Sequence, residues 1–252
     1  MPAFDSNGVS IHYEVFGDDD KPPIVLVHGF AASLDGNWVR PGWIDTLTPV
    51  RQVVALDCRG HGESEKPYDA AAYGDNMPDD VIRLMDHLNI EKADLFGYSM
   101  GGRISTRLMT AHPERFHSVV LGGIGNVLVA RRGGRPHLAD AMLAKDKSEV
   151  EDPIAKGFRI FAEATGADLK ALAASTQGTW TPLTAGDLSK VDLPVLIVVG
   201  EQDTLIGSAD ELQAAIPGAE LLTIPDREHL TVVPDQRFKD AVVRFLNERS
   251  PA

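Results

Sequence analysis

Gly97-Tyr98-Ser99-Met100-Gly101 joins an apolar run, Ala93 to Phe96, to a segment whose Ile104, Leu108 and Met109 recur at helical spacing. A strand that passes directly into a helix must turn sharply. The residue at the turn is forced into a strained backbone conformation, with its side chain projecting above the sheet. Glycines two residues to either side keep the turn uncrowded, and Gly101, Gly102 and Ser105 let the helix approach the sheet closely. A serine displayed this way is how a hydrolase exposes a nucleophile. The string alone is common, so its chemical partners must also occur in the right order along the chain.

Outward from that turn, short apolar runs lie at Ile24 to Val27, Val53 to Leu56, Ser118 to Leu121, Pro194 to Val199 and Glu220 to Ile224. Most lack polar alternation, as expected of strands buried on both faces of a mainly parallel sheet. Helical segments separate them, at Asp79 to Leu88, Met100 to Ala111, Ala209 to Ile216 and Gln236 to Asn247; in the last, Phe238, Val242, Phe245 and Leu246 form one apolar face. At the start, Asn7-Gly8 between Ala3 to Ser6 and the alternating Val9, Ile11, Tyr13 and Val15 predicts an antiparallel hairpin. From Gly125 to Leu188 the alternation stops, and only helix-like pieces occur, at His137 to Ala144, Ile154 to Ala164 and Asp168 to Ala174. The expectation is an α/β core over 1–124 and 189–252 with a helical lid insertion over 125–188, placed where such sheets bind ligands.

A serine nucleophile needs a base, because its hydroxyl is protonated at neutral pH. Of the eight histidines only His229 follows the last expected strand. The base needs a carboxylate to fix its tautomer, and Asp203 follows the strand at Val195 to Val199 in Gly200-Glu201-Gln202-Asp203. The stretch after Leu121, Gly122 to Asn126, holds no competing carboxylate. Backbone N–H groups of Met100, after the serine, and Phe30, in the His28-Gly29-Phe30 turn, are the expected oxyanion donors. At Gly29 and Gly101 the missing side chain is expected to let the backbone approach the substrate.

With the His28-Gly29 motif, the Asp57-x-Arg59-Gly60-His61-Gly62-x-Ser64 motif, the Gly200-x-x-Asp203 loop and the terminal His229, the chain resembles the α/β-hydrolase fold superfamily over nearly its whole length. The resemblance implies a catalytic Ser99, Asp203 and His229. Serine at the nucleophile position sets it apart from the aspartate-using dehalogenase and epoxide hydrolase branches. It is closer to the small-lid esterase, enol-lactonase, carbon-carbon bond hydrolase and cofactor-free perhydrolase branches. Two departures are visible: Glu228 stands before His229 where glycine is frequent, and no proline closely follows Asp203. Glu228 reads as solvent-facing.

The expected activity is hydrolysis of a small carboxylic ester or lactone through an acyl-enzyme. Carbon-carbon bond hydrolysis and perhydrolysis are alternatives with the same triad, and a low-turnover ligand receptor is an alternative of a different class. Phe30, Tyr98, Phe158, Phe161 and Trp180 are the candidate pocket residues, lid packing being the competing role of the last three. Arg131, Arg132 and Arg135 read as a solvated cluster, with capture of a substrate carboxylate as the other role. His28, His61, Asp57 and Arg59 are expected to hold turns. No cofactor is expected: the histidines lack metal-ligand spacing, and Gly122-Gly123-Ile124-Gly125 lacks the lysine of a phosphate loop.

Composition narrows the partners. The formal net charge of −13 argues against nucleic acid, whose phosphates require a basic face. No apolar run approaches a membrane span, and Met1 to Asn7 lacks a basic stretch followed by an apolar one, so a cytoplasmic protein is expected. The single cysteine, Cys58, excludes an intramolecular disulfide and reads as a small buried hydrophobe. A homo-oligomer is compatible with these features, and the motifs do not set the oligomeric state.

Overall fold

The computed structural model describes residues 2–126 and 136–249; Arg131, Arg132 and Arg135 lie outside the described residues. Eight strands form one sheet: β1 (Ala3–Asp5), β2 (Ser10–Phe16), β3 (Pro23–Val27), β4 (Gln52–Leu56), β5 (Ala93–Tyr98), β6 (Phe116–Gly122), β7 (Val195–Gly200) and β8 (Glu220–Ile224). Their spatial order is β1-β2-β4-β3-β5-β6-β7-β8. Strand β2 pairs antiparallel with both β1 and β4, and every later pairing is parallel. The hairpin closes through Asn7 and Gly8, both with positive φ (55° and 84°), as a right-twisted two-residue turn requires.

The parallel strands are buried on both faces, and successive residues feed opposite cores. Val25, Val27, Val54, Leu56 and Leu95 pack on one side with Ile104, Leu108 and Met109 of helix α3 (Met100–Ala111). Ile24, Leu26, Val53, Ala55 and Phe96 pack on the other with Phe238, Val242, Phe245 and Leu246 of the C-terminal helix Gln236–Glu248. That helix is capped by Asp235, whose side chain accepts from the Arg237 N–H. Sequence patterning missed the short elements on this second side. A π-helical turn, Asp35–Val39, and a five-residue helix, Trp43–Leu47, are too short for periodicity to register, and the fully buried Trp38 and Trp43 anchor them.

From β3 the chain crosses to β4 on one side and then returns to β5 on the other. The carboxyl ends of β3 and β5 therefore flank a reversal of strand order, where the two outgoing connections diverge and leave a crevice. Between β6 and β7 the described chain is helical, at Pro136–Leu143, Pro153–Thr165, Leu169–Gln177 and Ala185–Leu188. Helix Pro153–Thr165 starts on a proline capped by Asp152 and stops at Gly166 with φ 71°, which is why its limits are sharp. Ala139, Met142, Ala162, Leu172 and Ala173 form a small core with Ala31, so these helices sit over the turn that follows β3. No helix among the described residues is long and apolar enough to cross a membrane.

Candidate active site

The crevice is occupied by the strand-to-helix turn. Ser99 has φ 54° and ψ −107°, a conformation L residues avoid, and its N–H donates to the Gly122 carbonyl at 2.8 Å. The flanking glycines are required by contact. A Cβ on Gly97 would lie 2.2 Å from the Gly101 carbonyl oxygen, and one on Gly101 would lie 1.9 Å from the Val27 carbonyl oxygen. Gly101 thus lets α3 press against the end of β3. A Cβ on Gly29, which lines the cavity, would make only ordinary contacts with the protein at 3.5 Å.

Ser99 Oγ lies 3.0 Å from His229 Nε2, and His229 Nδ1 lies 2.6 Å from Asp203 Oδ2. The acceptor-only carboxylate places the imidazole proton on Nδ1, leaving the Nε2 lone pair facing the serine hydroxyl. The other Asp203 oxygen accepts the Leu205 N–H at 3.0 Å, and its side chain is fully buried. The Gly200 motif has a steric reason too. The loop bearing Asp203 lies against the loop bearing His229, the Gln202 N–H donating to Arg227 O at 2.9 Å, and a Cβ on Gly200 would meet that same oxygen at 2.2 Å.

The turn after β3 is held from behind. The Cys58 N–H donates to His28 Nε2 at 3.0 Å, so the ring proton sits on Nδ1 and is donated to Gly29 O at 2.7 Å. Burial lowers the His28 pKa and keeps the ring neutral. Because the Gly29 carbonyl and the Phe30 N–H belong to one planar peptide, fixing the first orients the second. Asn37, which the sequence reading missed, accepts the Gly29 N–H at 3.0 Å. Neither the Phe30 nor the Met100 N–H donates to an acceptor among the described residues. Asp57 accepts from the Leu34 and Glu63 N–H groups and pairs with His12 at 2.9 Å, and Arg59 pairs with Asp80 through two nitrogens at 2.7 and 2.6 Å. These residues hold loops and stay away from the crevice.

A cavity of about 620 Å³ opens onto Ser99, Asp203 and His229 and is lined by Phe30, Tyr98, Phe158 and Phe161, among others. Trp180 is not among its walls. That ring is buried against Arg103 and Arg107, whose guanidinium carbons lie 4.4 and 4.6 Å from its centre, so it packs on helix α3. The Tyr98 phenol also has a second role: its hydroxyl donates to the His229 carbonyl. Glu228 is exposed, as expected, yet it also lines the cavity together with Ile154 and Leu230.

A family model for the alpha/beta hydrolase fold matches residues 22–159. The chain belongs to the α/β-hydrolase fold family. Among curated relatives it is 31% identical over 239 residues to the dihydrolipoyllysine-residue acetyltransferase component of the acetoin cleaving system of Pseudomonas putida, covering 85% of this chain but only 60% of that relative. It is also 31% identical to the 2-hydroxymuconate semialdehyde hydrolase of Pseudomonas sp. strain CF600, over 91% of this chain and 88% of the relative. Among solved structures, the enol-lactonase from Burkholderia xenovorans LB400 superposes with a TM-score of 0.75 at 28% identity, covering 98% of this chain and all of that one.

Proposed function

We propose that this α/β hydrolase cleaves a small, uncharged carboxylic ester or lactone through an acyl-enzyme on Ser99. The observation that carries this reading is the continuous Ser99–His229–Asp203 hydrogen-bonded path at the floor of an apolar cavity. As His229 Nε2 takes the hydroxyl proton, Ser99 Oγ bonds to the carbonyl carbon and the carbonyl electron pair moves to oxygen. The Phe30 and Met100 N–H groups receive that oxyanion, each such donor being worth about 10²- to 10³-fold in turnover. Asp203 stabilises the imidazolium. Collapse of the intermediate expels the alcohol, which takes the proton from His229. A water then gives its proton to His229 as it adds to the acyl carbon, and the acid leaves with Ser99 restored.

Two features support an uncharged substrate. Among the described residues no lysine or arginine lines the cavity, and Glu228 stands at its wall with no ion-pair partner. The similarity to a 2-hydroxymuconate semialdehyde hydrolase supports a second reading, carbon-carbon bond hydrolysis by the same serine. Initial rates on p-nitrophenyl esters of increasing acyl length, on a γ-lactone and on a vinylogous diketone, each with wild type and Ser99→Ala, test both readings. Ester and lactone turnover that vanishes in Ser99→Ala is expected. Diketone cleavage far above ester hydrolysis would transfer the assignment to the second reading. Undiminished turnover in purified Ser99→Ala would sink both.

A further inference from the structure

Tyr98 stands between the two halves of the proposed machinery. It ends β5 immediately before Ser99, and its hydroxyl donates to the main-chain carbonyl of His229, 131 positions later in the chain. The ring lies against the His229 imidazole at 5.5 Å between centroids. Space for it is carved from the neighbouring strand. Gly122 is its partner in β6, and a Cβ there would lie 2.7 Å from the ring; one on Gly123 would lie 2.6 Å away. The residue is buried, with 2% of its surface exposed, so the ring has one place to go.

Burial, and then the Asp203 charge, hold the phenol pKa well above its usual 10. The hydroxyl is therefore a proton donor at any working pH. Other contacts fix the ends of the His229 loop: Arg227 pairs with Asp235 at 2.7 Å, and the Trp43 indole N–H donates to Val233 O at 2.9 Å. The Tyr98 bond acts on the histidine itself.

Resting on the roles given above to Ser99 and His229, we infer that Tyr98 is a positioning residue that locks the base to the nucleophile turn. Its hydroxyl is committed to the His229 carbonyl, while the residue also lines the cavity. A buried side chain one residue before the nucleophile can sense the position of the base because the strand end and the histidine loop meet above the two glycines. Displacement of a catalytic group by about 1 Å can cost about 10²-fold. Partial loss of this one restraint corresponds to a smaller effect on kcat.

The test is Tyr98→Phe, which keeps the ring and removes one donor. On p-nitrophenyl butyrate, kcat is expected to fall about tenfold with KM changed less than about twofold, the mark of an interaction made in the transition state rather than in substrate binding. The pH dependence of kcat/KM is also expected to move, because the base is no longer held against Asp203; a purely structural role would leave that profile in place. The rate of Ser99 labelling by a fluorophosphonate should fall in step with kcat. Gly122→Ala, which drives a methyl group into the ring while keeping the hydroxyl, should lower kcat in the same way and serves if Tyr98→Phe fails to fold. A folded Tyr98→Phe with wild-type kcat, labelling rate and pH profile would overturn the inference, as would a rise in KM at constant kcat. Failure of the underlying reading shows separately, as unlabelled wild-type enzyme or as full activity in Ser99→Ala.

Discussion

Gly101→Ala is the sharpest test of why the Ser99 turn has its sequence. An added Cβ would sit 1.9 Å from Val27 O, 2.6 Å from Val27 C and 2.9 Å from His28 O, all backbone atoms that cannot rotate away. Reaching ordinary contact at 3.4 Å requires α3 to retreat by about 1.5 Å from the end of β3. Overpacking of this kind costs about 1–3 kcal/mol. For a chain of this size that corresponds to a fall in Tm of about 2–12 °C. The retreat also shifts the Met100 N–H relative to the Phe30 N–H, and if these are the oxyanion donors as proposed, about a 10²-fold loss of kcat is expected. Thermal unfolding and p-nitrophenyl butyrate rates measure the two effects on one preparation. Gly157→Ala is the stability control: it lies within helix Pro153–Thr165, where an added Cβ meets nothing within 4 Å, and it should stabilise by about 0.4–1 kcal/mol. A Gly101→Ala protein with wild-type Tm and kcat would refute the claim that close helix–strand approach sets the site.

Acid sensitivity follows from His61. Burial, the largest cause, lowers its pKa from 6.5 to about 3, so below pH 6.5 the unfolded chain binds a proton the folded protein refuses. Stability is therefore complete above pH 6.5 and is lost as pH falls toward 3; His61→Gln should flatten that slope by about 1.4 kcal/mol per pH unit in urea titrations, and an unchanged slope would contradict the assignment. Trp180→Ala should destabilise by about 3–5 kcal/mol while leaving the acyl-length profile as in wild type, since the ring lies outside the cavity; a changed profile would return Trp180 to the pocket. Glu228→Gln should raise kcat/KM for an anionic ester relative to a neutral one by about 3- to 10-fold, an effect that shrinks in high salt; an unaltered ratio would remove Glu228 from substrate discrimination.

The sequence by itself determined the sheet and the candidate chemistry, because both rest on local order along the chain. Strands such as Val195–Gly200 are continuous apolar runs, and α3 and the Gln236–Glu248 helix show their periodicity directly. Ser99, Asp203 and His229 each follow a strand, and a strand's carboxyl end in a parallel sheet faces one common edge, so their succession already implied that they meet. Tertiary structure alone decided what surrounds them. Asn37 reaches the Gly29 N–H from a short turn with no pattern of its own, and Tyr98 finds room beside His229 where Gly122, at the end of β6, and Gly123 just after it carry no side chain. Trp180 showed the converse: an aromatic residue in the largely helical stretch between β6 and β7 fits a pocket wall or a packing core equally well by composition. Only the positions of Arg103 and Arg107, on a helix far away in sequence, placed it in the core. Contacts between distant segments depend on which faces the folded layers turn toward one another, and that is fixed by packing rather than by any spacing along the chain.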